Sequence, residues 1–412
     1  MVIEPKLFVA LPILEESENI EKLINCLQNQ SYTNFELLVC INQYDHWWET
    51  QEKQQACIDN QKSLDYLKSN HGLDIMVIDK SSVGSGWPKK KGGVGWARKT
   101  IMDNISMRGA GTDIIVSIDA DTYYPPDYLE KIKDYFLVNN KHVGLALPYY
   151  HNLNNDVTDR LILRYEIYMR SYLLNMMIIE NPYAYTALGS AMAFPIWAYN
   201  KVGGLTPVSS GEDFYFLQKL AKTGLIGIWV DTMAYPSPRF SDRVDFGTGP
   251  ALIKGNSGNW ESYPNYPSEF FDDIKETFDT FGELYIKHVT TPMEAFLLEQ
   301  FGGKNIWDPL RNNYKDQINF EKACVSKVDG LRILQFLKWR NIDSDSTNKD
   351  NLFNLLSQHF ENYLTDDMSF KVKNFNYIST EITTIDKIRN LMFDIETEVR
   401  KSRLINNNTH YA

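Results

Sequence analysis

Cysteine is scarce in this 412-residue chain: Cys26, Cys40, Cys57 and Cys324 are all there are, with no CxxC pair and no regular spacing. That excludes a disulfide-stapled scaffold and points to reduced thiols. Positive charge is also short. Lys and Arg number 42 against 53 Asp and Glu, for a net charge of −11. General nucleic-acid binding needs a basic face and is disfavoured, although local basic pockets remain open. No window of about 18 uncharged apolar residues exists, so no membrane span is expected. The nearest stretch, Leu161 to Ile179, carries Arg164, Glu166 and Arg170 and reads as an amphipathic helix. The opening residues, Met1 to Lys6, lack the layout of a signal peptide. These absences predict a cytoplasmic protein, with peripheral contact at the inner face of a membrane left open. Two nucleotide motifs are missing as well: Gly84-Ser85-Gly86 and the later glycines form neither GxxxxGK[ST] nor GxGxxG.

What is present is a globular composition, 43% hydrophobic, in a chain long enough for two or three domains. Leu7 to Leu11, closed by Pro12, reads as a buried strand; Phe35 to Ile41, Ile75 to Ile78 and Ile114 to Ile118 read as three more. Helical spacing falls between them, at Asn19 to Leu27, Glu52 to Lys68 and Val94 to Ile105. That alternation implies a mostly parallel sheet flanked by helices, with ligands at the carboxyl ends of the strands. Residues 123–263 mix strands and helices, and Ser237 to Asn259 reads as a long loop. Beyond Pro267 five stretches have helical periodicity: Phe270 to Val289, Met293 to Phe301, Cys324 to Lys338, Asn351 to Leu364 and Thr383 to Ser402. Ile342 to Asp350 reads as an exposed linker.

The most informative segment is Ile115-Val116-Ser117-Ile118-Asp119-Ala120-Asp121. A strand-forming run ends in two carboxylates at i and i+2, which point the same way on an extended chain. Two like charges about 5 Å apart repel by roughly 3 kcal/mol at an effective dielectric of about 20. A divalent cation or a shared proton relieves that; a solvated turn is the plainer alternative. Glu212-Asp213 follows Gly211 at a helix start and forms a second acidic pair. Acids there also complement the helix dipole without any catalytic task. Lys89-Lys90-Lys91 and Arg98 read either as phosphate-side charge or as solvated surface. Arg239 and Arg243 lie on a segment that can clamp a diphosphate bidentately or be ordinary surface loop. Trp47, Trp48, Trp87 and Trp96 can stack on sugar rings, with packing as the default.

Four features in order carry a resemblance: Pro12-Ile13-Leu14-Glu15-Glu16, Asn42 after the second strand, Asp119-Ala120-Asp121, and Gly211-Glu212-Asp213 after Gly203-Gly204. Over about residues 6–235 the chain resembles a family 2 glycosyltransferase with the GT-A fold. The resemblance implies a nucleotide-sugar-binding half over 1–122 and an acceptor-binding half over 123–266. Residues 267–412 then form a helical C-terminal region. It places Pro12 and Glu15 or Glu16 beside base and ribose, and Asn42, usually Asp in the family, on the base. Arg98 fits the family's Gly-x-x-x-Ala-Arg context, and Gly189, in Gly189-Ser190-Ala191, matches a turn beneath the donor sugar for which a plain turn is the alternative. Asp121 would be the closer ligand of Mg²⁺ or Mn²⁺, and Asp119 the sugar-side one. Asp213 would be the base, with Glu212 orienting a substrate. Lys90, Arg239 and Arg243 would add charge near the diphosphate.

The implied activity is inverting, divalent-metal-dependent transfer from a nucleoside diphosphate sugar, UDP ahead of GDP, to a carbohydrate or lipid-linked acceptor. The implied setting is surface-polysaccharide assembly. The helical region would bind acceptor, form a homodimer or dock another component. Many such enzymes place a further His ligand after the second acidic pair, but no His occurs between residues 152 and 287. Solvent, Asp242 or Asp245 would then complete the site, or the metal is dispensable. A nucleotidyltransferase of similar fold and a catalytically silent nucleotide- or sugar-binding protein stand as alternatives. The first lacks its Gly-rich signature with Lys after the first strand; the second would leave the four acids unused.

Overall fold

The apolar runs become strands because they can be buried on both faces. The strands are β1 (Leu7–Ile13), β2 (Phe35–Asn42), β3 (Ile75–Lys80), β4 (Ile114–Ser117), β5 (Thr122–Tyr123), β6 (Gly144–Ala146), β7 (Met192–Pro195), β8 (Ile226–Gly227) and β9 (Tyr235–Pro236). Seven of them form one sheet in the order β3-β2-β1-β4-β7-β6-β8, while β5 and β9 pair as a separate ribbon. The pairs of β1 with β2 and β4, β2 with β3 and β6 with β8 are parallel; β7 runs antiparallel to both its neighbours. The expected architecture, a mostly parallel sheet flanked by helices and followed by helices, is the one found.

Helices α1 (Ser17–Gln28), α2 (Gln54–Lys68), α3 (Val94–Arg108) and α4 (Tyr128–Val138) connect the early strands. Leu7, Val9, Leu11 and Ile13 of β1 share one core with Ile20, Leu23, Ile24 and Leu27 of α1. Each such side chain contributes about 1.5–3 kcal/mol on burial. Helix α3 packs on β1 and β2 and buries Ala97, Ile101 and Ile105.

The computed structural model describes residues 4–69 and 71–410. The chain divides into two compact units. One holds the residues up to Thr158 with Ala187–Ile253; the other holds Asp159–Thr186 and Lys254–Arg403. The first contains the whole sheet, together with α6 (Ile196–Lys201) and α7 (Glu212–Ala221). The second is helical.

Three local expectations need correction. Pro12 does not end β1; it pairs in register with Cys40. Pairing of β1 with β4 ends at Ala10, whose carbonyl accepts from Ile118. Alternation therefore turns Pro12, which has no N–H, to the side where β4 has already left the sheet. The stretch Ser237 to Asn259 is not all loop, because Thr248–Asn256 is helix α8 with Ala251 and Leu252 buried. Its Pro250 falls in the first turn, where a missing N–H costs nothing. The region Cys324 to Lys338 is two helices, Gln317–Lys327 and Gly330–Arg340, because Asp329 caps the second by accepting from the Arg332 amide at 3.3 Å.

Candidate active site

From neighbouring strands β1 and β4 the chain turns toward opposite edges of the sheet, to β2 and to β6, so a crevice opens between their carboxyl ends. Glu16 lies just beyond β1, and Asp119 and Asp121 just beyond β4. Glu15 turns the chain with φ 54° and is exposed, its N–H held by Asn60 Oδ1 at 2.9 Å. Glu16 is buried, and its Oε2 accepts from Asn19 Nδ2 at 2.7 Å. Of the two, Glu16 reaches the crevice.

The charge of the acidic pair is met by arginines. Arg98, from the first turns of α3, is 3% exposed. Its Nη2 bonds Asp119 Oδ1 at 2.6 Å, its Nε bonds Glu212 Oε1 at 2.9 Å, and its Nη1 donates to the Gly189 carbonyl at 2.9 Å and to Ser117 Oγ. Asp121 Oδ2 pairs instead with Arg239 Nε at 2.6 Å. Arg239 also bonds Glu16, which Arg243 Nη1 reaches at 2.9 Å. The segment carrying these arginines is fastened beside Asp121: the Ser237 amide donates to the Asp121 carbonyl at 3.2 Å, directly after the β5–β9 ribbon. Arg243 donates to the Leu14 carbonyl, and the Phe246 amide to Ser210 Oγ at 3.0 Å.

Burial and mutual repulsion act on the acids. Burial, with Asp119 and Glu16 nearby, pushes Asp121 up to about 6 against the opposing pull of Arg239. Burial and Asp213 push Glu212 up to about 7 despite Arg98. Burial likewise raises Asp213, whose carboxylate takes the Phe214 amide at 2.7 Å and is also stabilised by the Gly189 amide. Burial would lower Arg98, but Asp119, Glu212 and Asp213 more than offset it and keep it charged.

The other sequence candidates have surroundings of their own. Lys89, Lys90 and Lys91 are exposed, and Lys91 sits over the Trp96 ring at 5.1 Å. Asn42 is buried at the end of β2; its Nδ2 donates to the Ile13 carbonyl at 2.8 Å, while Oδ1 has no hydrogen-bond partner among the described residues. Trp48 donates to the Ser81 carbonyl at 2.9 Å, and Trp87 is buried against Trp96. Asp242 and Asp245 are exposed. Sequence reasoning missed Ser117 and Ser241. The first is a polar residue in an otherwise apolar strand, a readable signal; the second gave none.

Among the described residues no group of three His, Cys, Asp or Glu is gathered to hold a metal. Asp119 and Asp121 alone fit a hard cation that takes one or two carboxylates and draws its remaining oxygens from phosphate and water. They do not make an all-protein cage.

Residues 114–281 match the family described as Glycosyl transferase family group 2. That segment, less than half of the chain, is similar to this family. The match begins with β4 and takes in Asp119, Asp121, Gly189, Glu212, Asp213, Arg239 and Arg243. No curated protein matches the chain. The chain is similar to the solved structure of the mannosyltransferase PcManGT from Pyrobaculum calidifontis in complex with GDP-Man and Mn²⁺ (TM-score 0.38, 12% identity, covering 97% of this chain and 87% of that one). It is also similar to S. aureus TarS 1-349 in complex with UDP (0.37, 14%, 97% and 92%). GalNAc-T7 with UDP, GalNAc and Mn²⁺ gives 0.38, 8%, 74% and 56%.

Proposed function

We propose that this chain is a glycosyltransferase that moves a sugar from a nucleoside diphosphate sugar to an acceptor hydroxyl, with inversion and with a divalent cation. One observation carries the reading: a single buried guanidinium, that of Arg98, bonds both Asp119 at 2.6 Å and Glu212 at 2.9 Å. The two acidic motifs, 93 positions apart in sequence, therefore belong to one site.

Asp213 takes the acceptor proton as the hydroxyl oxygen attacks the anomeric carbon. The bond from that carbon to the diphosphate oxygen breaks, and its electron pair leaves with the phosphate. Such base catalysis contributes about 10²–10⁴ in rate. Glu212 is bonded to Arg98 and suits an orienting task better than proton transfer. Arg239 and Arg243 stand beside Asp121 and Glu16, where two forked donors suit a diphosphate. A cation held by Asp119 and Asp121 would supply Lewis-acid neutralisation of the leaving phosphate. Asn42, with Nδ2 committed to Ile13, offers an acceptor to an N–H on a base edge. Uracil and guanine both have one, and uridine donors come first in the test. A carbohydrate or lipid-linked acceptor and a surface-polysaccharide setting follow from the family resemblance alone.

The test is turnover of UDP- and GDP-sugars with and without Mn²⁺. Asp121→Asn and Asp213→Asn should each remove at least 99% of turnover, on the order of the general-base range, with the melting temperature retained. Full turnover in both variants would overturn the assignment.

A further inference from the structure

Arg98 stands out because its guanidinium is spent on the protein itself. Nε, Nη1 and Nη2 each have a protein acceptor: Glu212, then Ser117 and Gly189, then Asp119. With 3% exposure, little of it is left to meet a diphosphate. Two glycines keep it in place. A Cβ at Gly189 would run into the guanidinium. One turn before Arg98 on α3, a Cβ at Gly95 would run into the Val208 carbonyl and lie 2.9 Å from the Val208 nitrogen. Gly95 thus lets α3 close onto the segment that leads through Ser210 and Gly211 into Glu212. Real Cβ atoms do not approach a backbone that closely, so any larger residue at 95 must push α3 and this segment apart. Glu212 opens α7, and Asp213 follows it directly with its carboxylate held by the Phe214 and Gly189 amides.

We propose that Arg98 is a positioning residue: it fastens Glu212, and with it the start of α7 that presents Asp213, to the acidic pair behind β4, and Gly95 sets the spacing. The inference rests on the transferase reading for its kinetic consequence, but not for the coupling itself. A misplacement of the reacting groups by about 1 Å costs on the order of 10²-fold in rate.

The experiment is a double-mutant cycle of Gly95→Ala and Glu212→Ala, read in kcat, in donor KM and in the urea midpoint. Each single substitution should lower kcat about tenfold or more, leave donor KM within about twofold, and combine without further loss, since coupled sites are not additive. Losses that multiply would overturn the proposal. So would a rise in donor KM at constant kcat, which would make Arg98 a diphosphate ligand. If Gly95→Ala does not fold, Arg98→Lys replaces it in the same cycle. A wild type that turns over no sugar donor would sink the transferase reading only. The urea midpoints still decide this one: non-additive shifts uphold the coupling, and additive shifts end it.

Discussion

At the scale of single residues the site is a balance of five acids and three arginines: Glu16, Asp119, Asp121, Glu212 and Asp213 against Arg98, Arg239 and Arg243. The acids outnumber their partners, and burial raises Glu212 to about 7 and raises Asp213 as well. The two interact and titrate as a pair. A base works only when deprotonated, and a raised pKa keeps the proton on to higher pH. The acid limb of kcat should therefore lie above the ordinary carboxylate value of about 4. A kcat profile whose acid limb falls at or below about 4 would contradict this. Arg239 answers to a different measurement. It holds Asp121 at 2.6 Å and also Glu16, so Arg239→Ala removes the cation nearest the proposed diphosphate. Calorimetry should show nucleoside diphosphate affinity down about tenfold or more, in line with the loss of a partly buried charge partner. Unchanged affinity would take Arg239 out of the site. The acidic residues were legible in the sequence because their spacing is unusual. What the sequence concealed was how their repulsion is relieved. Asp119 and Asp121 each pair with a different arginine, and neither arginine is near them in sequence.

At the scale of elements, strands were easier to read than helix limits. Residues 35–41 and 114–118 are apolar, Glu36 and Ser117 excepted, because both faces of a parallel sheet are covered, and such runs have few other uses. Helix ends depend on caps and first-turn chemistry, which periodicity ignores. Asp329 and Pro250 are the two signals that periodicity passed over. The amphipathic reading of Leu161 to Ile179 failed for a related reason. The helix is there, as α5 (Thr158–Ile178), but Arg164, Glu166 and Arg170 are fully buried rather than solvated. Spacing shows where charges sit on a helix and not whether other charges will meet them. The start of α8 also bears on the site. A Cβ at Gly249 would lie 2.6 Å from the Ser241 carbonyl oxygen, and Ser241 Oγ accepts from Arg243 Nε at 3.1 Å. Gly249→Ala should lift the arginine segment and raise donor KM several-fold, about 1 kcal/mol in binding. The melting temperature should stay near that of the wild type. A KM equal to wild type would show that the segment tolerates the displacement.

At the scale of the whole molecule, the two units are held by different means. The first is a sheet with a mostly apolar interior and buried charge at its carboxyl edge, besides Glu36 at the amino end of β2, which Lys6 and Arg108 meet. The second buries charge: within it Glu166 accepts from Arg170 Nε at 3.1 Å and from Arg389 Nη1 at 3.0 Å, and Glu396 pairs with Arg170 at 2.6 Å and with Arg400 at 2.7 Å. These contacts join α5 to the helix Ile382–His410. No helix among the described residues is long and apolar enough to cross a membrane. A network of this kind contributes little net stability when complete but a large penalty when one member is lost, because the remaining ions stay buried. Glu166→Ala takes away the carboxylate shared by Arg170 and Arg389 and should destabilise the second unit by about 3–5 kcal/mol. Urea unfolding followed by tryptophan fluorescence should show an earlier midpoint. Glu166→Ala with Arg170→Met and Arg389→Met should recover much of the loss, since it removes the two arginines stranded without Glu166 and leaves Glu396 paired with Arg400. If the triple variant is less stable than Glu166→Ala alone, the penalty comes from lost packing and not from unpaired charge.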